Sequence, residues 1–118
     1  MDSKKILELV VKAADQKRAE EIVALDVRKV SLLADYFVIC HGNSERQIKA
    51  IVDAVVEEAE KNGVTVRRIE GREGAKWILI DLGDVIVHVF TGPERTFYNL
   101  EKLWSDAPMV NVSKWITE

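Results

Sequence analysis

The chain has 118 residues, of which 47% are hydrophobic and 31% charged, and its formal net charge is −3. This is the size and usage of one globular domain, expected to span residues 1–118, with enough apolar mass for a core that needs neither disulfide nor structural metal. A mildly acidic chain with scattered Lys and Arg lacks the basic patch of a nucleic-acid binder, so no direct nucleic-acid specificity is expected, whereas a basic protein partner fits.

Cys40 is the single cysteine. It allows no internal disulfide and suits a reducing, cytoplasmic setting. The first residues mix both charge signs and do not read as a signal segment. No apolar run approaches the ~20 residues that cross a bilayer, so no membrane association is expected.

In chain order, a first helix is expected from residue 2 or 3 to about residue 17, with Ile6, Val10, Ala13 and Ala14 as its apolar stripe. Residues 21–27 read as a strand and residues 31–34 as a short turn. Residues 36–40 form an unbroken apolar run, the mark of a strand buried on both faces. Gly42 ends it. Ser44 with Gln47 three residues on makes a capping box. The helix that follows places Ile48, Ile51, Val52, Val55 and Ala59 on one face, and Gly63 suits its left-handed stop. Residues 64–69 are a further strand. Residues 77–81 and 85–90 read as a hairpin about Leu82 and Gly83. Pro93 starts a third helix that should run to about Trp104, with Phe97, Leu100, Leu103 and Trp104 as its stripe. The segment after Pro108 carries no clear pattern. The sum is an α/β fold, a mixed sheet of about five strands with three main helices. Two helices over one sheet face would leave part of the other open.

The hairpin is the most informative segment. A two-residue loop pairs Asp81 with Asp84, Leu79 with Ile86 and Trp77 with His88. Alternation then gathers Trp77, Leu79, Asp81, Asp84, Ile86, His88 and Phe90 on one face, and Ile78, Ile80, Val85, Val87 and Val89 on the other. The aliphatic face is core. The mixed face reads either as a recognition surface or as a second covered face with His88 buried in it; a bulged turn would also break this register, and the pattern alone does not choose. Tyr98 falls off the apolar stripe of the third helix, among Glu94, Arg95, Glu101 and Lys102, and Asn99 lies near the stripe's edge. An aromatic so placed is either a partner anchor or an ordinary exposed tyrosine.

The chemistry on offer is thin. The Gly42-Asn43-Ser44 turn precedes a helix, as in nucleotidyltransferases, but the capping box accounts for it. Asp81 and Asp84 lack the Asp-x-Asp spacing that puts two metal-holding carboxylates on one strand face. Cys40 and His41 are adjacent and point to opposite faces of a strand. His41 and His88 give no metal-ligand spacing, and no phosphate-binding or dinucleotide fingerprint is present. No enzyme activity, cofactor or metal is expected. A nucleotidyltransferase-like enzyme using the Gly42-Ser44 turn is the alternative, and a homodimeric scaffold built on an open sheet face is the third reading.

Five segments occur in order: Ala34-Asp35-Tyr36-Phe37-Val38-Ile39-Cys40, then Gly42-Asn43-Ser44-Glu45-Arg46-Gln47, then Glu70-Gly71 with Ala75-Lys76-Trp77, then the hairpin from Asp81 to Phe90, then Arg95-Thr96-Phe97-Tyr98-Asn99-Leu100-Glu101-Lys102-Leu103-Trp104. Together they resemble the ribosomal silencing factor family, RsfS or Iojap, over nearly the whole chain. The resemblance implies a nucleotidyltransferase-like fold without nucleotidyl transfer. It implies a partner, the fourteenth protein of the large ribosomal subunit at the face that meets the small subunit, and a function, blocking subunit joining and repressing translation when nutrients are short. Matched by motif, Trp77 and Tyr98 are the expected contacts, with His88, Phe90 and Asn99 beside them.

Overall fold

The computed structural model describes residues 2–116. A mixed sheet of six strands carries the chain, in the order β3-β4-β5-β2-β1-β6. These are β1 (Glu20–Asp26), β2 (Tyr36–Gly42), β3 (Arg68–Glu70), β4 (Trp77–Asp81), β5 (Val85–Thr91) and β6 (Met109–Val110). The central pair β2 and β5 is parallel and the other pairs are antiparallel. Both central strands are buried almost throughout, as the apolar runs required.

Helices α1 (Ser3–Gln16) and α2 (Glu45–Lys61) cover one face of the sheet. Each begins on a side-chain cap: Asp2 accepts from the Lys5 N–H, and Ser44 from the Gln47 N–H at 3.1 Å. The return half of the box departs from expectation. Gln47 Oε1 accepts from the Asn43 N–H at 2.7 Å, one residue before the cap, while its Nε2 donates to the carbonyls of Lys17 and Arg18. One side chain thus fastens the β2–α2 turn to the end of α1. Under both helices, the expected aliphatic set Ile78, Ile80, Val85, Val87 and Val89 packs with Val38 and Cys40. Burial raises the Cys40 thiol pKa to about 12.

The structure revises the reading in four places. The hairpin turns on Gly83 and Asp84, with the Leu82 N–H donating to the Val85 carbonyl, so Trp77 pairs with Phe90 and Leu79 with His88. The register differs by two residues, which leaves every side chain on its expected face; Asp84 alone leaves the strand and is exposed. The strand read at residues 64–69 is reduced to β3, because Val64 and Val66 pack into the core from a loop. A sixth strand, β6, forms after Pro108 and pairs with β1. Lastly, the third helix is broken. It consists of α3 (Gly92–Tyr98) and α4 (Leu100–Leu103), separated by Asn99 at φ 46° and ψ 58°. The helical phase fails at that point. Of the expected stripe only Leu100 is buried, Trp104 is half-buried, and Phe97 and Leu103 are 78% and 71% exposed.

Candidate functional site

The sheet face opposite α1 and α2 is crossed by the α3–α4 segment and remains partly open. Its core is Leu25, Val27, Phe37, Ile39, Ile86 and Phe90, closed by Leu100 and Ala107. Along it, aromatic rings run in unbroken contact. Phe97 meets Tyr98 edge-on at 5.1 Å between centroids, Tyr98 lies 4.6 Å from Trp77, and Trp77 stacks on Phe90 at 5.0 Å. From there His88 approaches Phe37 at 5.3 Å, and Phe37 meets Trp104 at 5.2 Å, both edge-on. Such pairs add about 0.5–1.5 kcal/mol each beyond the area they bury.

The residues expected at the site sit at different depths in this array. Tyr98 is 44% exposed, Trp77 half-buried and Asn99 exposed, whereas His88 is 6% and Phe90 0% exposed. Trp77, Tyr98, His88 and Phe90 are brought together, and Asn99 adjoins them at the helix break. Phe90 and His88 form the floor, out of reach of a partner. The mixed face is therefore a covered layer with a buried histidine, and exposed aromatic rings of the α3–α4 segment form a rim above it.

His88 is held neutral. Trp77 Nε1–H donates to its Nδ1 at 3.1 Å, which places the ring proton on Nε2, and burial lowers its pKa from 6.5 to about 4. Nε2 has no hydrogen-bond partner among the described residues. The backbone that delivers Trp77 is equally constrained. Gly71 has φ +87°, and a Cβ there would stand 2.0 Å from the Trp77 carbonyl oxygen, so only glycine permits this approach.

Arg95 was not singled out in the sequence, yet it is buried at the start of the broken helix. Its Nε and Nη2 hold both carboxylate oxygens of Glu101 at 3.3 and 3.1 Å. Its Nη1 meets His41 Nδ1 at 2.9 Å and donates to the Glu20 carbonyl at 3.3 Å. Sequence spacing gave no signal for this, since its partners come from β1, β2 and a position six residues onward.

Two polar groups of the Gly42-Asn43-Ser44 turn are engaged within the fold. Asn43 N–H is bonded to Gln47, and Ser44 Oγ caps α2. No cluster of three or more His, Cys, Asp or Glu placed to hold a metal exists among the described residues. Asp81 accepts from the Gly83 N–H and faces Arg68, a turn-stabilising role. Among the described residues no helix is long and apolar enough to cross a membrane.

With this geometry in hand, the comparisons with known proteins agree. The family model described as "Ribosomal silencing factor during starvation" matches residues 1–118. A relative in Bacillus subtilis, the ribosomal silencing factor RsfS, is 53% identical over 112 residues, covering 95% of each chain. A crystal structure from Bacillus halodurans superposes with a TM-score of 0.83 at 50% identity, covering 92% of this chain and 99% of that one. A second, from Chromobacterium violaceum, gives 0.87 at 33% identity, covering 89% and 88%.

Proposed function

Because the chain belongs to the ribosomal silencing factor family, whose members bind ribosomes and are not enzymes, we propose that it represses translation by occupying the large ribosomal subunit. It docks on the fourteenth protein of that subunit, at the face that meets the small subunit, and works in the cytoplasm. No chemistry is needed. A body of this size on the joining face excludes the small subunit by volume for as long as it stays bound.

The observation that carries this reading is the aromatic rim. Phe97 and Tyr98 stand in solvent, backed by Trp77 on a rigid floor of Phe90 and His88. Aromatics that are exposed but prevented from collapsing make strong anchors, because little side-chain entropy is left to lose on binding. We assign Tyr98, Trp77 and Asn99 to the contact, add Phe97 to them, and give His88 and Phe90 the part of holding Trp77 in place. Charge plays a lesser part than the sequence implied, since Glu101 and Asp81 already face Arg95 and Arg68.

The test is co-sedimentation with isolated subunits in a sucrose gradient, paired with light scattering of subunit joining. The protein should travel with large subunits, leave small ones unaccompanied, and slow the scattering rise. Sedimentation of the protein alone reads out any homodimer. Equal distribution over both subunits, or joining at an unchanged rate, refutes the proposal.

A further inference from the structure

The rim depends on a break in a helix. Asn99 adopts a left-handed conformation that L residues other than asparagine and aspartate rarely take, and Tyr98 is the last residue before it. The Asn99 N–H caps the first segment by donating to the Arg95 carbonyl at 2.9 Å, while the Asn99 carbonyl accepts from the N–H groups of Lys102 and Leu103. No proline or glycine forces the break, so something must hold it.

Arg95 and Glu101 are placed to do so. In a continuous helix, residues six apart point about 120° away from each other around the axis and lie about 9 Å apart along it, so their side chains do not meet. Here they form a two-point ion pair across the break. The third arm of Arg95 is secured to the sheet through the Glu20 carbonyl and His41. The pair is compatible with the broken helix and incompatible with the straight one.

We infer that Arg95 and Glu101 are positioning residues, a clamp across Asn99 that fixes the direction in which Phe97 and Tyr98 face the ribosome. The inference rests on the docking reading above. Arg95 supports too much else to be altered cleanly, whereas Glu101 is partly exposed and Glu101→Gln keeps its size.

Two measurements test it. Amide hydrogen exchange on the free protein should show the Asn99, Leu103 and Trp104 N–H groups of Glu101→Gln exchanging on the order of ten times faster, with β2 unchanged as the internal reference. Binding to isolated large subunits should form a non-additive cycle. Tyr98→Ala weakens binding about 30-fold or more, Glu101→Gln about tenfold, and Glu101→Gln adds less than about threefold once Tyr98 is gone. A full additive loss means that Glu101 acts independently of Tyr98 and overturns the clamp, as does unchanged exchange at Asn99. If Tyr98→Ala binds like the parent protein, the docking reading itself falls and the positioning role with it, whatever the exchange pattern.

Discussion

Trp77→Phe isolates one hydrogen bond in the floor of the site. The substitution keeps an aromatic ring over Phe90 but removes the donor to His88 Nδ1, leaving a buried imidazole with neither nitrogen partnered. An orphaned buried polar atom costs about 1–3 kcal/mol, so Trp77→Phe should lose about 2 kcal/mol of unfolding free energy at pH 7. Adding His88→Leu removes the stranded acceptor at similar volume, and the double variant should regain at least about 1 kcal/mol. The same histidine sets a pH dependence. Its folded pKa of about 4 lies below its ordinary 6.5, so the folded state prefers the neutral ring. The stability this confers is complete above pH 6.5 and is lost as pH falls toward 4, by at most about 3 kcal/mol over the window. Urea unfolding with linear extrapolation measures the first effect on Trp77→Phe and the double variant at pH 7, and the second on the parent protein and His88→Leu from pH 7 to pH 4. Titrating carboxylates are common to the two proteins and cancel in the difference. If both lose stability in parallel, or if Trp77→Phe costs less than about 0.5 kcal/mol, the buried neutral pair is not what the geometry implies.

Tyr98→Ala and Phe97→Ala should each weaken large-subunit binding with melting temperatures near that of the parent, Tyr98 by about 2 kcal/mol and Phe97 by less, as co-sedimentation titrations would show. Trp77→Ala should lower both binding and stability, because Trp77 also covers Phe90; thermal unfolding beside the titration separates the two losses. Trp104→Ala removes an edge contact on Phe37 from a half-buried position and should cost about 2–3 kcal/mol of stability, at the low end for a tryptophan, with binding retained. Gln47→Ala should cost about 1–2 kcal/mol in chemical denaturation, since three backbone groups lose a partner.

The parts of this architecture legible in the chain are those governed by local periodicity. The Ser44 cap, the stripe from Ile48 to Ala59 and the inward run at Tyr36 each follow from neighbours a few residues away. The hairpin faces were legible for a related reason. A side-chain period of two forgives a register error of two, so Trp77, His88 and Phe90 share a face under either pairing. What local pattern could not supply was the end of the helical phase at Asn99. Arg95 and Glu101 are unremarkable polar residues until the break brings them together, and the break in turn leans on Glu20 and His41, distant in sequence. Asparagine's tolerance of left-handed geometry was the one available hint. Without it, Phe97 and Leu103 were counted as core, although they face solvent, and Tyr98 was placed by a phase that no longer applied. The burial of His88 beneath Trp77 likewise depends on how the α3–α4 segment lies across the sheet.

The sealed environment of Cys40 turns the molecule into its own unfolding reporter. The thiol lies on the helix-covered side of β2, with no solvent contact and an acidity suppressed far below that of a free cysteine. A disulfide reagent added to the intact protein meets no nucleophile to attack it, because the reactive thiolate is both hidden and scarce. Modification proceeds only through molecules that have come apart, and where reclosing is fast its rate tracks the fraction open at any instant. A ligand that binds the closed form lowers that fraction in proportion to its occupancy. The labelling rate of one native sulfur, followed by intact mass in the presence of isolated subunits, would therefore register engagement of this protein without a tag, a dye or a substitution.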